Sequence, residues 1–280
     1  MKKIATLAAA AVTFGALTLG APTPAAAQEI QLTGPLAGAP AVRKLRLYRQ
    51  GRVEVAVGPG FTLLDEYERT IFAAGRLQYN IFDWLGIGVF GGFGAASLDT
   101  DLTDKIQAQA PRNTRTAVNV PPRNGPAFDK QTGKMKWMAA PQVTFSPFRG
   151  KLAIFQKIFV DTDLYLHGGA AFIGVEERAN CGSGGSSCTT AQSFGTSTRT
   201  AVAPTFGLGL TFFLNDIVNL GVEYRAIPFS WNRGGFDSRG LGPNNNFPDG
   251  KVNGDDETFK FNQVIGVSVG VMLGKRKISQ

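Results

Sequence analysis

The chain has 280 residues, 43% hydrophobic and 18% charged, with a formal net charge of +8 at pH 7. That balance excludes a disordered chain and a uniformly apolar one, and the length suits one barrel-sized domain or two small ones. Its 35 glycines form no Gly-X-Y period, which excludes collagen; they alternate with apolar residues, as in Gly86-Ile87-Gly88-Val89.

The first 27 residues read as an export signal. Lys2 and Lys3 precede an Ala/Leu-rich apolar stretch that Gly20, Pro22 and Pro24 break, and Ala25-Ala26-Ala27 offers the small residues a signal peptidase accepts. Cleavage is expected after Ala27, and no Cys follows to mark a lipoprotein. The alternative, a membrane anchor, is disfavoured because the stretch is short of the ~20 apolar residues a spanning helix needs. No later apolar run is long enough for such a helix. Residues 28–50 form a periplasmic leader, whose residues 43–48 are available to periplasmic partners.

From residue 51 to 274 the pattern has a period of two, broken by turns, and predicts eight strands. The first (52–63) sets Val53, Val55 and Val57 on one face. The second (69–80) opposes Ile71, Ala73, Leu77 and Tyr79 to Arg76 and Gln78. The third (84–97) alternates Leu85, Ile87, Val89 and Phe93 with glycines. The fourth (135–145) sets Met135, Trp137, Val143 and Phe145 against Lys136, Gln142 and Thr144, followed by a turn at Pro147-Phe148-Arg149-Gly150.

The second half repeats the scheme. The fifth strand (158–176) opposes Val160, Leu164, Leu166 and Phe172 to Asp161, Asp163, Tyr165 and His167. The sixth (200–214) carries Val202, Phe206, Leu208, Leu210 and Phe212 on its apolar face. The seventh (218–231) opposes Leu220, Val222 and Tyr224 to Glu223 and Arg225. The eighth (258–274) carries Phe259, Phe261, Ile265, Val267, Val269, Val271 and Leu273 on one face.

Connections after strands two, four and six are short, whereas those after three, five and seven are long (98–134, 177–199, 232–257). Such asymmetry, with an even strand count, predicts an all-β, eight-stranded antiparallel transmembrane barrel of outer-membrane type with long extracellular loops. Two aromatic girdles are expected. Tyr79, Phe82, Trp84, Phe145, Phe148, Phe212 and Phe213 lie towards the short turns; Trp137, Phe229, Trp231, Phe259 and Phe261 lie towards the long loops.

With the apolar face towards lipid, the other face fills the lumen, because eight strands leave room only for side chains. The inward charges are then Glu54, Arg76, Lys136, Asp161, Asp163, Glu223, Arg225 and Lys260, four of each sign. Parity points to a paired network that fixes register, since an unpaired buried charge is costly; a narrow ion path is the alternative. Basic charge outside the lumen is expected on scattered surface positions or on loops that touch lipopolysaccharide phosphates. An exported chain meets no nucleic acid.

Few residues invite chemistry. His167, the only histidine, has no Ser within two positions and reads as a luminal hydrogen-bonding group rather than half of an acyl-transfer pair. Cys181 and Cys188, the only cysteines, are expected to close a disulfide staple in an oxidising compartment. In the last loop Asp249, Asn253, Asp255 and Asp256 loosely fit a calcium loop, although Asn245 stands where a leading Asp belongs and Phe247 takes a ligand position.

Two groups of motifs carry a resemblance. Leu32-Thr33-Gly34-Pro35-Leu36-Ala37-Gly38-Ala39-Pro40-Ala41-Val42-Arg43 leads into Gly51-Arg52-Val53-Glu54 and Phe61-Thr62-Leu63. Further on come Asp163-Leu164-Tyr165 with Gly168-Gly169, and Asn246-Phe247-Pro248-Asp249-Gly250 with Phe259-Lys260-Phe261-Asn262-Gln263. Together these resemble the outer-membrane β-barrel domain family common in myxobacteria. The resemblance implies fold and location, with no catalytic residues and a possible place in a trans-envelope assembly. One departure is the tail 275–280: many such barrels end on an aromatic, so the signal read by the barrel-assembly machinery would be the internal 267–273 segment.

The expectation is therefore a non-enzymatic outer-membrane barrel without a cofactor, calcium apart. Its role would be structural, anchoring or docking within an envelope protein complex. A narrow porin-like channel and a lipid-modifying enzyme are the alternatives.

Overall fold

Val53, Val55 and Val57 project outward from the first strand while Glu54 and Ala56 are buried inside, and this alternation repeats around a closed wall. The computed structural model describes residues 48–109, 128, 131–154, 158–179, 195–236, 238–241, 245 and 252–274. These belong to the unit Leu45–Gln280. The signal region, nearly all of the leader, Cys181, Cys188, Asp249 and the tail 275–280 lie outside the described residues.

The elements run β1 (Val53–Leu63), β2 (Glu68–Asn80), β3 (Leu85–Asp99), α1 (Asp101–Gln109), β4 (Lys134–Ile154), β5 (Ile158–Ala179), β6 (Gly195–Phe213), β7 (Val218–Trp231) and β8 (Thr258–Leu273). Each strand pairs antiparallel with its neighbour, and β1 closes on β8 through pairs such as Val55↔Val271. Closure removes the exposed edges that an open sheet leaves. Strands of 11 to 22 residues meet or exceed the ~9–11 that a tilted strand needs to cross a bilayer.

The outer face is apolar along the middle of the strands: Val57 is 61% exposed, Val202 65% and Phe93 72%. Inside lie Glu54, Arg76, Gln78, Gln142, Thr144, His167 and Arg225, all buried. This reverses the polarity of a soluble barrel and matches what a lipid exterior demands. The interior is layered. Towards the long connections sits an apolar cluster that includes Phe72, Met135, Met138, Ile173, Ile227 and Trp231; beneath it lies the polar layer.

Several expectations are corrected. The fourth strand does not stop at Phe145 but runs through Pro147 to Ile154, absorbing the expected turn with a register shift between Phe145 and Phe148. A second shift, between Met135 and Trp137, changes the phase of that strand: Met135 turns into the core, and Lys136 lies exposed at the rim. Each such bulge adds a residue to one strand and so breaks strict alternation. Phe229 and Trp231 are not girdle residues; both are buried inside, stacked with ring centroids 5.6 Å apart. Phe213 likewise points inward, whereas Tyr79, Phe82, Trp84, Phe145 and Phe148 are exposed near the short turns. The helix α1, with Asp101 and Asp104 in its first turn, was not expected in the connection after β3.

Candidate functional site

Polar residues at inward positions of six strands converge in mid-barrel. Arg76 on β2 donates through Nη2 to Glu54 Oε1 on β1 at 2.7 Å and through Nη1 to Glu223 Oε2 on β7 at 3.0 Å. Nη1 also donates to the Tyr165 hydroxyl on β5, and that hydroxyl donates to Glu223 Oε2 at 2.9 Å. The guanidinium lies 4.8 Å from the Tyr165 ring centroid.

Arg225 completes the lattice. Its Nη2 donates to Glu223 Oε1 and to Gln142 Oε1 on β4, both at 2.6 Å, and its Nη1 donates to Thr205 on β6 at 3.1 Å. Its guanidinium packs 4.1 Å from the centroid of Phe90, an inward residue of β3. Glu223 and Arg225 share a face because they are two apart on one strand. Two carboxylates thus neutralise two guanidiniums, and charge-assisted bonds of this kind are the stronger class.

His167 sits at the edge of this lattice, its Nε2 3.3 Å from the Tyr224 carbonyl and 3.6 Å from Glu223 Oε1. The side chain is fully buried in the lumen. Gly207 makes this possible: a Cβ there would lie 2.6 Å from His167 Nε2. Beside the lattice is a cavity of about 30 Å³, lined in part by Arg76, Phe90, Glu223 and Arg225, enough for about one water molecule. Of its lining residues, Arg76 and Arg225 each bury an Nε without a protein partner; elsewhere in the lumen Gln142 Nε2 and His167 Nδ1 are buried likewise.

Of the eight charges expected in the lumen, Glu54, Arg76, Glu223 and Arg225 meet in this lattice. The other four do not. Asp163 belongs to a second cluster at the short-turn end, 3.2 Å from Arg49 and 3.8 Å from Arg149. There Asp83 Oδ1 accepts from the backbone amides of Arg49 and Gln50 at 2.7 and 2.9 Å. Burial opposes its charge, but these amides and the Arg149 guanidinium outweigh it and hold the Asp83 carboxyl below its ordinary range. Arg52, also buried, donates to the carbonyls of Asp216 and Met272. Asp161 is half-buried, in register with Phe213.

Lys136 and Lys260 sit at the opposite rim, paired with Glu176 at 2.7 Å and Glu66 at 2.8 Å. That end carries further cross-ties. Arg233 bridges Asp65 (3.1 Å) and Asn262 (2.6 Å), and Glu177 receives Arg199 and the Asn232 amide, both at 2.6 Å. Tyr67 meets Phe128 and Phe236 edge-on, and those two rings stack on each other. Asp256 of the expected calcium loop accepts from the amides of Ser238, Arg239 and Asn253, while the Asn253 side chain accepts from the Asp255 amide. Asn253 and Asp256 form the capping box of a short 3-10 turn, Gly254–Asp256. Among the described residues no group of three or more His, Cys, Asp or Glu could hold a metal.

Tyr165, Arg49 and Arg149 were not singled out from the sequence. Tyr165 was legible as an inward residue by parity with Asp163 and His167; Arg49 and Arg149 lay in segments read as leader and turn.

No family model matches the chain, and no curated protein does. Among solved structures it is similar to the N-terminal β-barrel domain of Pseudomonas aeruginosa OprF, at 9% identity and a TM-score of 0.41 over 80% of this chain and 98% of that one. It is similar also to the outer membrane protein OprG of the same organism, at 9% identity and 0.41 over 83% and 100%. A third likeness is to Neisserial surface protein A, at 11% identity and 0.33 over 79% and 94%. At this level the likeness extends to no residue, ligand or activity.

Proposed function

We propose that this chain is an outer-membrane β-barrel, exported through a signal peptide cleaved after Ala27, that anchors or docks an envelope assembly and catalyses no reaction. The observation that carries this reading is a filled lumen inside an apolar wall. The lattice around Arg76 and Arg225 occupies the middle, and the Phe72–Trp231 cluster lies above it. A hydrogen-bonded wall with satisfied backbone groups suits a bilayer. Burial of His167 within the lumen separates its ring from lipid, which weighs against acyl chemistry. What remains for interaction is the outer wall and the two ends, with lipopolysaccharide and the barrel-assembly machinery among the partners.

The reading is tested by fractionation and conductance. The chain should collect in the outer membrane, shift its gel mobility on boiling, and show no unitary steps in a planar bilayer. Cross-linking with mass spectrometry in the native envelope would then identify the assembly. A narrow channel is the second reading, favoured by the 30 Å³ cavity and the unpartnered Nε atoms of Arg76 and Arg225 that line it. Discrete conductance steps would replace the anchor reading with that one, and recovery in a detergent-free soluble fraction would sink both.

A further inference from the structure

The outer wall of β1–β4 is hollowed. Pro59, Ala73, Gly91 and Ala139 form the floor of a groove of about 800 Å³, with Phe93 and Trp137 among its walls. Register makes the floor continuous: Pro59 pairs with Ala73, Gly75 with Gly91, and Gly91 with Ala139. It crosses four strands, so it is about 14 Å wide at the usual strand spacing. An apolar trough of that width seats several polymethylene chains side by side, more than a two-chain lipid supplies.

One exposed cation lies beyond one end of the groove. Arg69, exposed on the outward face of β2, stands two residues beyond the groove-lining Ile71 towards the long connections, about 7 Å along the strand. Lys136, beside Trp137, is already held by Glu176 at 2.7 Å and offers no free charge. A guanidinium at headgroup depth favours a phosphate, which it can engage through two parallel N–H groups.

We propose that this groove is a binding site for lipopolysaccharide, its acyl chains lying across the glycine and alanine floor and a phosphate meeting Arg69. The proposal rests on the reading that the barrel sits in the outer membrane with its long connections outward, which puts Arg69 in the outer leaflet.

The test is native mass spectrometry of the full processed chain in nanodiscs that mix purified lipopolysaccharide with phosphatidylethanolamine and phosphatidylglycerol. The wild type should retain lipopolysaccharide over phospholipid. Gly91→Leu fills the floor, and the backbone accepts it, since a Cβ at Gly91 meets nothing nearer than the Met138 carbonyl at 3.8 Å. It should lower retention about tenfold. Arg69→Gln should lower it about fivefold, the loss expected for one basic headgroup contact. Val269→Leu, on the outward face of β8, should change nothing. Equal retention of all lipids, or unchanged retention in Gly91→Leu, overturns the proposal. So does a mass of two barrels that Gly91→Leu abolishes, which would make the groove a contact between copies. Each variant is checked for heat-modifiable insertion; a wild type absent from the outer membrane overturns the anchor reading, and with it this one.

Discussion

Arg76 and Glu54, from adjacent strands, meet at 2.7 Å in mid-barrel with side chains 6% and 2% exposed. Among the described residues, the other hydrogen bond to the Glu54 carboxylate is a longer one, 3.4 Å, from Asn219. Removing Arg76 therefore leaves a carboxylate inside the wall without its cation. Arg76→Met should destabilise the barrel by about 3–5 kcal/mol, the cost of breaking a buried pair from one side. The double variant Arg76→Met with Glu54→Gln should recover part of that loss. Urea unfolding in lipid measures both.

The outward face is tested by charge. Val89 and Leu208 are both 47% exposed near mid-strand. Val89→Arg or Leu208→Arg should each cost about 2–4 kcal/mol, as a cation placed in the bilayer interior does. A smaller effect there than at the strand ends would mean that the apolar wall does not face lipid.

Gln142 is a luminal residue whose loss should be felt. Its Oε1 receives the Arg225 guanidinium at 2.6 Å, with both groups buried. Gln142→Ser shortens the side chain and leaves one N–H of that guanidinium unmet, at about 1–3 kcal/mol. Gln142→Glu should not rescue it, because a third carboxylate upsets the parity of the lattice. The same unfolding assay ranks the variants.

Asp83 predicts a pH dependence at the short-turn mouth. Its folded carboxyl titrates below the ordinary range, so its contribution is complete above the unfolded value and is lost as pH falls through the lower, folded one. The Arg49 and Gln50 amides that it caps should stay protected from hydrogen exchange at neutral and mildly acid pH and lose protection only below the usual carboxylate range. In Asp83→Ala they should exchange freely at every pH. Protection that fades nearer neutrality would assign the effect to another group.

Cys181 and Cys188 give a test of topology. Seven positions apart in the connection after β5, they should form a disulfide that the barrel does not need, since short closed loops gain least in the chain-entropy model. A membrane-impermeant maleimide should label intact cells only after reduction, and a double Cys→Ser variant should insert normally. Labelling confined to lysed cells would place the long connections on the other side of the membrane.

What the sequence determined by itself is the wall. Facing on a strand is a local property of period two, so Val53/Val55/Val57 and Leu85/Ile87/Val89 declared the outward side before any partner was known, and Glu54, Arg76, Glu223 and Arg225 the lumen. Only the tertiary structure decided which charges meet. Arg76 finds Glu54 22 residues away and Glu223 147 residues away, a choice set by closure of the barrel and not by any motif. It also decided the exceptions: the register shifts that turn Met135 inward and Lys136 outward, and the inward parity of Phe229 and Trp231, whose aromatic character alone suggested the interface. A bulge depends on how two strands fit together, and one chain segment carries no trace of its partner's length.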